Sequence, residues 1–143
     1  MGKPTLRLLA AAAFTLSCAM AQADELVVIV SARSTVEALR PDQVAAIFLG
    51  QSARYPNGTV ASPIDQRIGS GARDGFYLRL AGKTRALLKA HWSKMVFTGR
   101  AQPPRELPDS EAVRKAVADD PAAIGYIERE ALDPSVRQVL LVH

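Results

Sequence analysis

Five consecutive residues, Leu26-Val27-Val28-Ile29-Val30, limit what this chain can become. A strand with one wet face alternates apolar and polar residues, whereas an unbroken β-branched run belongs to a strand buried on both faces. Such a strand needs a packing layer on each side, and the sequence that follows offers helices to supply them. Pro41 suits a first helical turn, with Val44, Ile47 and Phe48 repeating at helical spacing and Gly50 as the C-terminal stop. Pro56-Asn57-Gly58 marks a turn, and Thr59 to Ile64 reads as a second strand in which Pro63 is confined to an edge or a strand end. Ser70 opens a helix carrying Phe76, Tyr77 and Leu80, which Gly82 breaks. A longer helix runs from about Thr84 to Phe97, with Leu88, Trp92, Met95 and Val96 as its apolar stripe. The Pro-rich stretch Gly99 to Pro108 reads as irregular. Ser110 to Ala118 forms a short helix with acids at its front, and Ala123 to Ile127 and Val136 to Val142 are two more strands. Strands alternating with helices imply an α/β layered domain.

The first 23 residues are excluded from that fold. Lys3 and Arg7 precede an apolar run, Leu8 to Met20, and Ala21-Gln22-Ala23 resembles a signal-peptidase site, so residues 1–23 read as a secretory leader. The run is shorter than the roughly 20 apolar residues of a membrane span, and no membrane insertion is expected after cleavage. Cys18 follows Thr15-Leu16-Ser17, a poor lipidation box, and cleavage removes this single cysteine of the sequence. The expected mature domain, residues 24–143, therefore rests on its core rather than on disulfides, and its expected place is the periplasm. Loss of Lys3 and Arg7 from 18 basic residues leaves 16 against 14 acids. So weak a balance gives no reason to expect a nucleic-acid partner.

Residues 65–77, DQRIGSGARDGFY, hold the chemistry most worth weighing. A helix N-terminus exposes unpaired N–H groups and about half a positive charge. Glycines there let an anion approach the backbone, and a Ser hydroxyl adds a donor. Gly69, Ser70, Gly71 and Ala72 form that candidate cradle, with Arg67 and Arg73 as possible charged partners. The plainer reading makes Ser70 a helix cap and Gly69 a turn, and the local residues leave both open. Other chemistries fit poorly. Gly69-x-Gly71-x-x-x-Gly75 is one residue too long for a dinucleotide fingerprint, and a P-loop is absent. Gly-Ser-Gly is not the Gly-x-Ser-x-Gly of a nucleophile elbow. His91 and His143 make no metal-ligand spacing, and no cofactor is expected. Gly125-Tyr126 fits a strand closely approached by a neighbour.

Four segments, RPDQVAAIFLG, PIDQRIGSGARDGFY, HWSKMVFTG and DDPAAIGYIE, come in the order seen in phosphate-binding proteins of bacterial ABC transporters, and the chain resembles that family across essentially all of residues 24–143. The resemblance implies a single lobe of a type II periplasmic-binding-protein fold, with a central mostly parallel sheet flanked by helices. It implies no catalysis, a small inorganic anion such as phosphate as ligand, and a membrane transporter or sensor protein as partner. The family's phosphate loop reads Arg-x-Asp-Gly-Ser-Gly-Thr. Gly69, Ser70 and Gly71 match it, while Gln66, Ile68 and Ala72 stand at the Arg, Asp and Thr positions. Those departures leave a second expectation, a lobe that has lost its ligand and docks on a receptor or sensor.

Overall fold

A computed structural model describes Gly2 and residues 25–143. The leader expected at residues 1–23, with Cys18, otherwise lies outside the described residues. Among those described, no helix is long and apolar enough to cross a membrane.

The strand that opens the domain, β1 (Leu26–Ser31), is buried at every residue, as its composition requires. It lies inside a five-stranded sheet ordered β3-β2-β4-β1-β5, where β2 is Ser62–Gln66, β3 Arg105–Leu107, β4 Ala123–Glu128 and β5 Val136–Val142. β2 runs parallel to both β3 and β4, and β1 runs antiparallel to its two neighbours, β4 and β5. Four strands thus point one way and β1 the other, so the sheet is mostly parallel. Helices α1 (Pro41–Phe48), α2 (Gly71–Ala81) and α3 (Arg85–Phe97) cover one face, and α4 (Ser110–Asp119) covers the other. Alternation along β1 follows from this. Leu26, Val28 and Val30 meet Phe48, Phe76, Tyr77 and Trp92, while Val27 and Ile29 meet Val113 and Val117 of α4. The expected α/β lobe is the observed one.

Three of the helices begin at side-chain caps. Ser70 accepts from Arg73 N, Thr84 from Leu87 N and Asp109 from Ala112 N. Pro63 sits near the beginning of β2 and pairs with Ile124 of β4, while pairing to β3 starts only at Ile64, so its missing N–H falls where no ladder bond is needed. Two expectations need correction. The stretch Gly99 to Pro108 is not wholly irregular, because Arg105-Glu106-Leu107 forms the edge strand β3. Its residues are exposed or half-buried, so backbone pairing to β2 holds it and no apolar alternation announces it. The α3 stripe is also narrower than its spacing suggests: Leu88 and Trp92 are buried, but Val96 stays 43% exposed.

Gly125 shows how closely α4 approaches the sheet. A Cβ built there would lie 2.5 Å from Val113 Cγ1 and 3.1 Å from Val117 Cγ2. Both neighbours are stiff β-branched side chains on a packed helix, so neither moves cheaply. Gly125→Ala is expected to lower stability by about 1–3 kcal/mol in urea denaturation, the usual cost of overpacking. An unchanged midpoint would show that α4 is looser than this contact implies.

Candidate functional site

The parallel strands β2 and β3 each hand the chain to a helix at the same edge of the sheet. In α/β folds, ligands bind in the crevice outside the carboxyl ends of such strands. Here the first turns of α2 and α4 border a cavity of about 870 Å³ at that place. Gly69, Ser70, Gly71, Ala72 and Arg67, five of the six residues singled out in the sequence, line it.

The loop reaches this position through a tight turn. Ser70 N donates to Arg67 O at 3.2 Å, and the turn requires φ of +96° at Gly69, a conformation L side chains rarely adopt. Ser70 then caps α2, its Oγ accepting from Arg73 N at 3.1 Å. The cap and the cradle are compatible, because a hydroxyl that accepts still has a hydrogen to donate. Gly71 N and Ala72 N, the first two amides of α2, donate to no group among the described residues. Arg67 is exposed, and its side chain has no ion-pair partner among the described residues.

Two candidate positions behave differently. Arg73, one turn into α2, points away from this cavity; its Cζ lies 5.6 Å from the Tyr77 ring centroid and its Nε 3.4 Å from Asp65 Oδ2. That Nε is near enough for an ion pair but out of line for a hydrogen bond. Gln66, at the place of the resembled loop's Arg, is buried and works as a brace. Its Nε2 donates to Ser110 Oγ and to Tyr126 O, both at 3.1 Å, and Glu128 N also donates to Ser110 Oγ at 3.1 Å. Gln66 therefore locks the first residue of α4 to β2 and β4 instead of offering a charge.

Residues not anticipated complete the site. Asp65, beside Gln66, is 1% exposed and sits behind the loop. Tyr77 Oη donates to its Oδ2 at 2.6 Å, Gln66 N donates to its Oδ1 at 2.8 Å, and Tyr126 Oη donates to the same Oδ1. The cavity lining also includes Arg79 from α2, and Asp109, Glu111 and Glu128, of which Asp109 caps α4 and Glu111 pairs with Lys115. Its field is mixed, with the amides of α2 and two arginines on one side and three acids on the other. Among the described residues no cluster of His, Cys, Asp and Glu is arranged to hold a metal. One signal for Asp65 was present in the sequence, a lone acid directly after the apolar end of a predicted strand.

Burial lifts the Asp65 carboxyl above the usual carboxylate range, against the opposing effects of the two tyrosine hydroxyls, Arg73 and the Gln66 amide. Burial, then the Asp65 charge, pushes both Tyr77 and Tyr126 upward. A folded carboxyl raised above its unfolded value contributes stability that is fully present below the unfolded value, about 4, and is lost as pH rises through the folded one. Relative to Asp65→Asn, the wild-type protein is therefore expected to lose stability on going from about pH 4 to about pH 8 in paired urea titrations. A difference that grows in the wild type's favour with rising pH would mean that the hydrogen bonds outweigh burial.

No family model matches the sequence, and no curated protein matches it either. Solved structures do match in fold. A protein of Clostridium perfringens assigned as a phosphate ABC transporter substrate-binding protein, solved with bound phosphate, superposes with a TM-score of 0.66 at 22% identity over 81% of this chain and 44% of its own. An ABC-type phosphate transport receptor of Vibrio cholerae gives 0.63 at 17% identity, over 81% and 45%. PstS of Borrelia burgdorferi gives 0.63 at 16%, over 81% and 46%. The chain spans less than half the length of these proteins, and over that span it has the fold of phosphate ABC transporter substrate-binding proteins.

Proposed function

We propose that this is an exported, non-enzymatic solute-binding protein of the periplasm, with residues 1–23 as leader and 24–143 as the working domain, and that it binds phosphate or a related oxyanion. One observation carries the reading: the unpaired Gly71 and Ala72 amides and the Ser70 hydroxyl, which caps α2 and keeps its own hydrogen to donate, belong to residues lining one cavity at the carboxyl edge of the sheet. Unpaired amides at a helix start favour negative charge, and Arg67 adds an exposed counter-charge. The bound phosphate of the Clostridium perfringens structure supports the choice of anion. Two features weaken binding in this chain. Gln66 replaces a cation with a brace, and Asp109, Glu111 and Glu128 repel a dianion.

Those same features favour a second reading, a lobe that has lost its ligand and docks on a membrane transporter or sensor. The very exposed Phe97, at 92%, gives such a partner an apolar foothold at the end of α3.

Calorimetry with phosphate at low salt, and with sulfate for comparison, separates the two. Gly71→Pro is the sharpest variant, since Pro suits the first helical position and the extended Ser70 before it, yet removes one donor. It is expected to weaken phosphate binding about tenfold, the worth of one hydrogen bond to a charged group. Equal affinity in Gly71→Pro and wild type would place the anion elsewhere. No heat with either anion would leave the docking reading, whose own test is a stable partner recovered from the periplasm.

A further inference from the structure

Arg73 faces a different opening from the loop it follows. A groove of about 590 Å³ runs between α3 and the segment leading into β3, on the other side of the loop 67–70, and shares no lining residue with the first cavity. Its walls are apolar: Ile68 on the loop, Leu88, Trp92 and Val96 on α3, and Pro103-Pro104 opposite. Its size is that of an ordinary small-molecule site, about 300–1,000 Å³.

Two residues lining this groove each carry a buried nitrogen with no hydrogen-bond partner. Trp92 is 7% exposed, and its Nε1 is buried without a hydrogen bond. The far, benzo edge of the same indole is held against Gly50, where a Cβ would meet Cη2 at 2.9 Å. Arg73 is also 7% exposed, and its guanidinium donates no hydrogen bond to any group among the described residues; its charge partner is Asp65, which two tyrosines already hold. A buried donor left unpaired keeps its desolvation cost uncompensated, so an acceptor supplied from outside is favoured there. The rim adds Lys89, exposed and without an ion-pair partner among the described residues, and Arg85, which is paired with Asp74. Glu106 lies on the opposite rim, with its Oε1 accepting from Ile68 N at 2.9 Å.

We propose that this groove is a second ligand site, built for a small carboxylate carried on an apolar body. The carboxylate sits between Arg73 and Lys89, since a planar guanidinium recognises a planar carboxylate through paired N–H groups. The apolar body lies between the α3 side chains and Pro103-Pro104. Inorganic phosphate fits the first cavity and not this one, because it has no apolar surface to bury.

Trp92 is the one tryptophan in the sequence, so its emission reports the groove directly. N-acetyl-L-leucine is expected to change that emission saturably, with N-acetyl-L-leucinamide about tenfold weaker for want of the charge-assisted contact. Arg73→Gln also disturbs Asp65, so the exposed Lys89→Glu carries the test; it is expected to weaken the acid by about fivefold and to leave the amide unchanged. Phosphate is expected not to displace the acid. The proposal is overturned if no saturable change occurs, if acid and amide titrate alike, or if Lys89→Glu binds the acid as the wild type does.

Discussion

A single buried carboxylate decides how the working edge of this domain is assembled. Asp65 has no route to water, so its oxygens must be satisfied within the protein. The groups that satisfy them come from α2 through Tyr77, from β4 through Tyr126, and from β2 itself through the Gln66 amide. Those contacts fix α2 relative to the sheet. Because the loop 67–70 joins β2 to α2, they also fix where the first amides of α2 point. Gln66 extends the same network to Ser110 and so sets the start of α4. Both helix starts that border the cavity are thus positioned from one polar centre under the loop.

Aromatic packing keeps that centre dry. The Phe76 and Tyr126 rings stack with centroids 3.9 Å apart, and Phe48 meets each of them edge-on. The arrangement lets Tyr126 serve two environments, its ring in the core and its hydroxyl on the carboxylate. The low-dielectric surroundings strengthen the hydrogen bonds and also explain why the carboxyl resists ionisation.

Local features were legible in the sequence, and distant ones were not. The β1 run declared a doubly covered strand, and Ser70 and Thr84 declared helix starts, because a cap is a contact between residues three apart. The turn at Gly69 was legible for a similar reason, since a tight turn is also local. The Asp65 centre was not, since its partners lie 12 and 61 residues away. The direction of Arg73 was likewise hidden: Arg67 lies in the loop and Arg73 in the first turn of α2, and which way Arg73 faces depends on how α2 packs. β3 left no trace because its three residues bury little and are held by backbone bonds. The role of Gln66 shows the same limit. At its position the sequence shows a Gln where the resembled loop has Arg, and only the packed site reveals a brace.

The most direct measurement is a phosphate titration followed by amide nitrogen–proton NMR. If the α2 start is the anion site, the Gly71 and Ala72 amides shift together and saturate at one affinity, with smaller changes at Ser70. Saturable shifts centred on another part of the molecule, or none at these two amides while phosphate binds, would contradict that assignment.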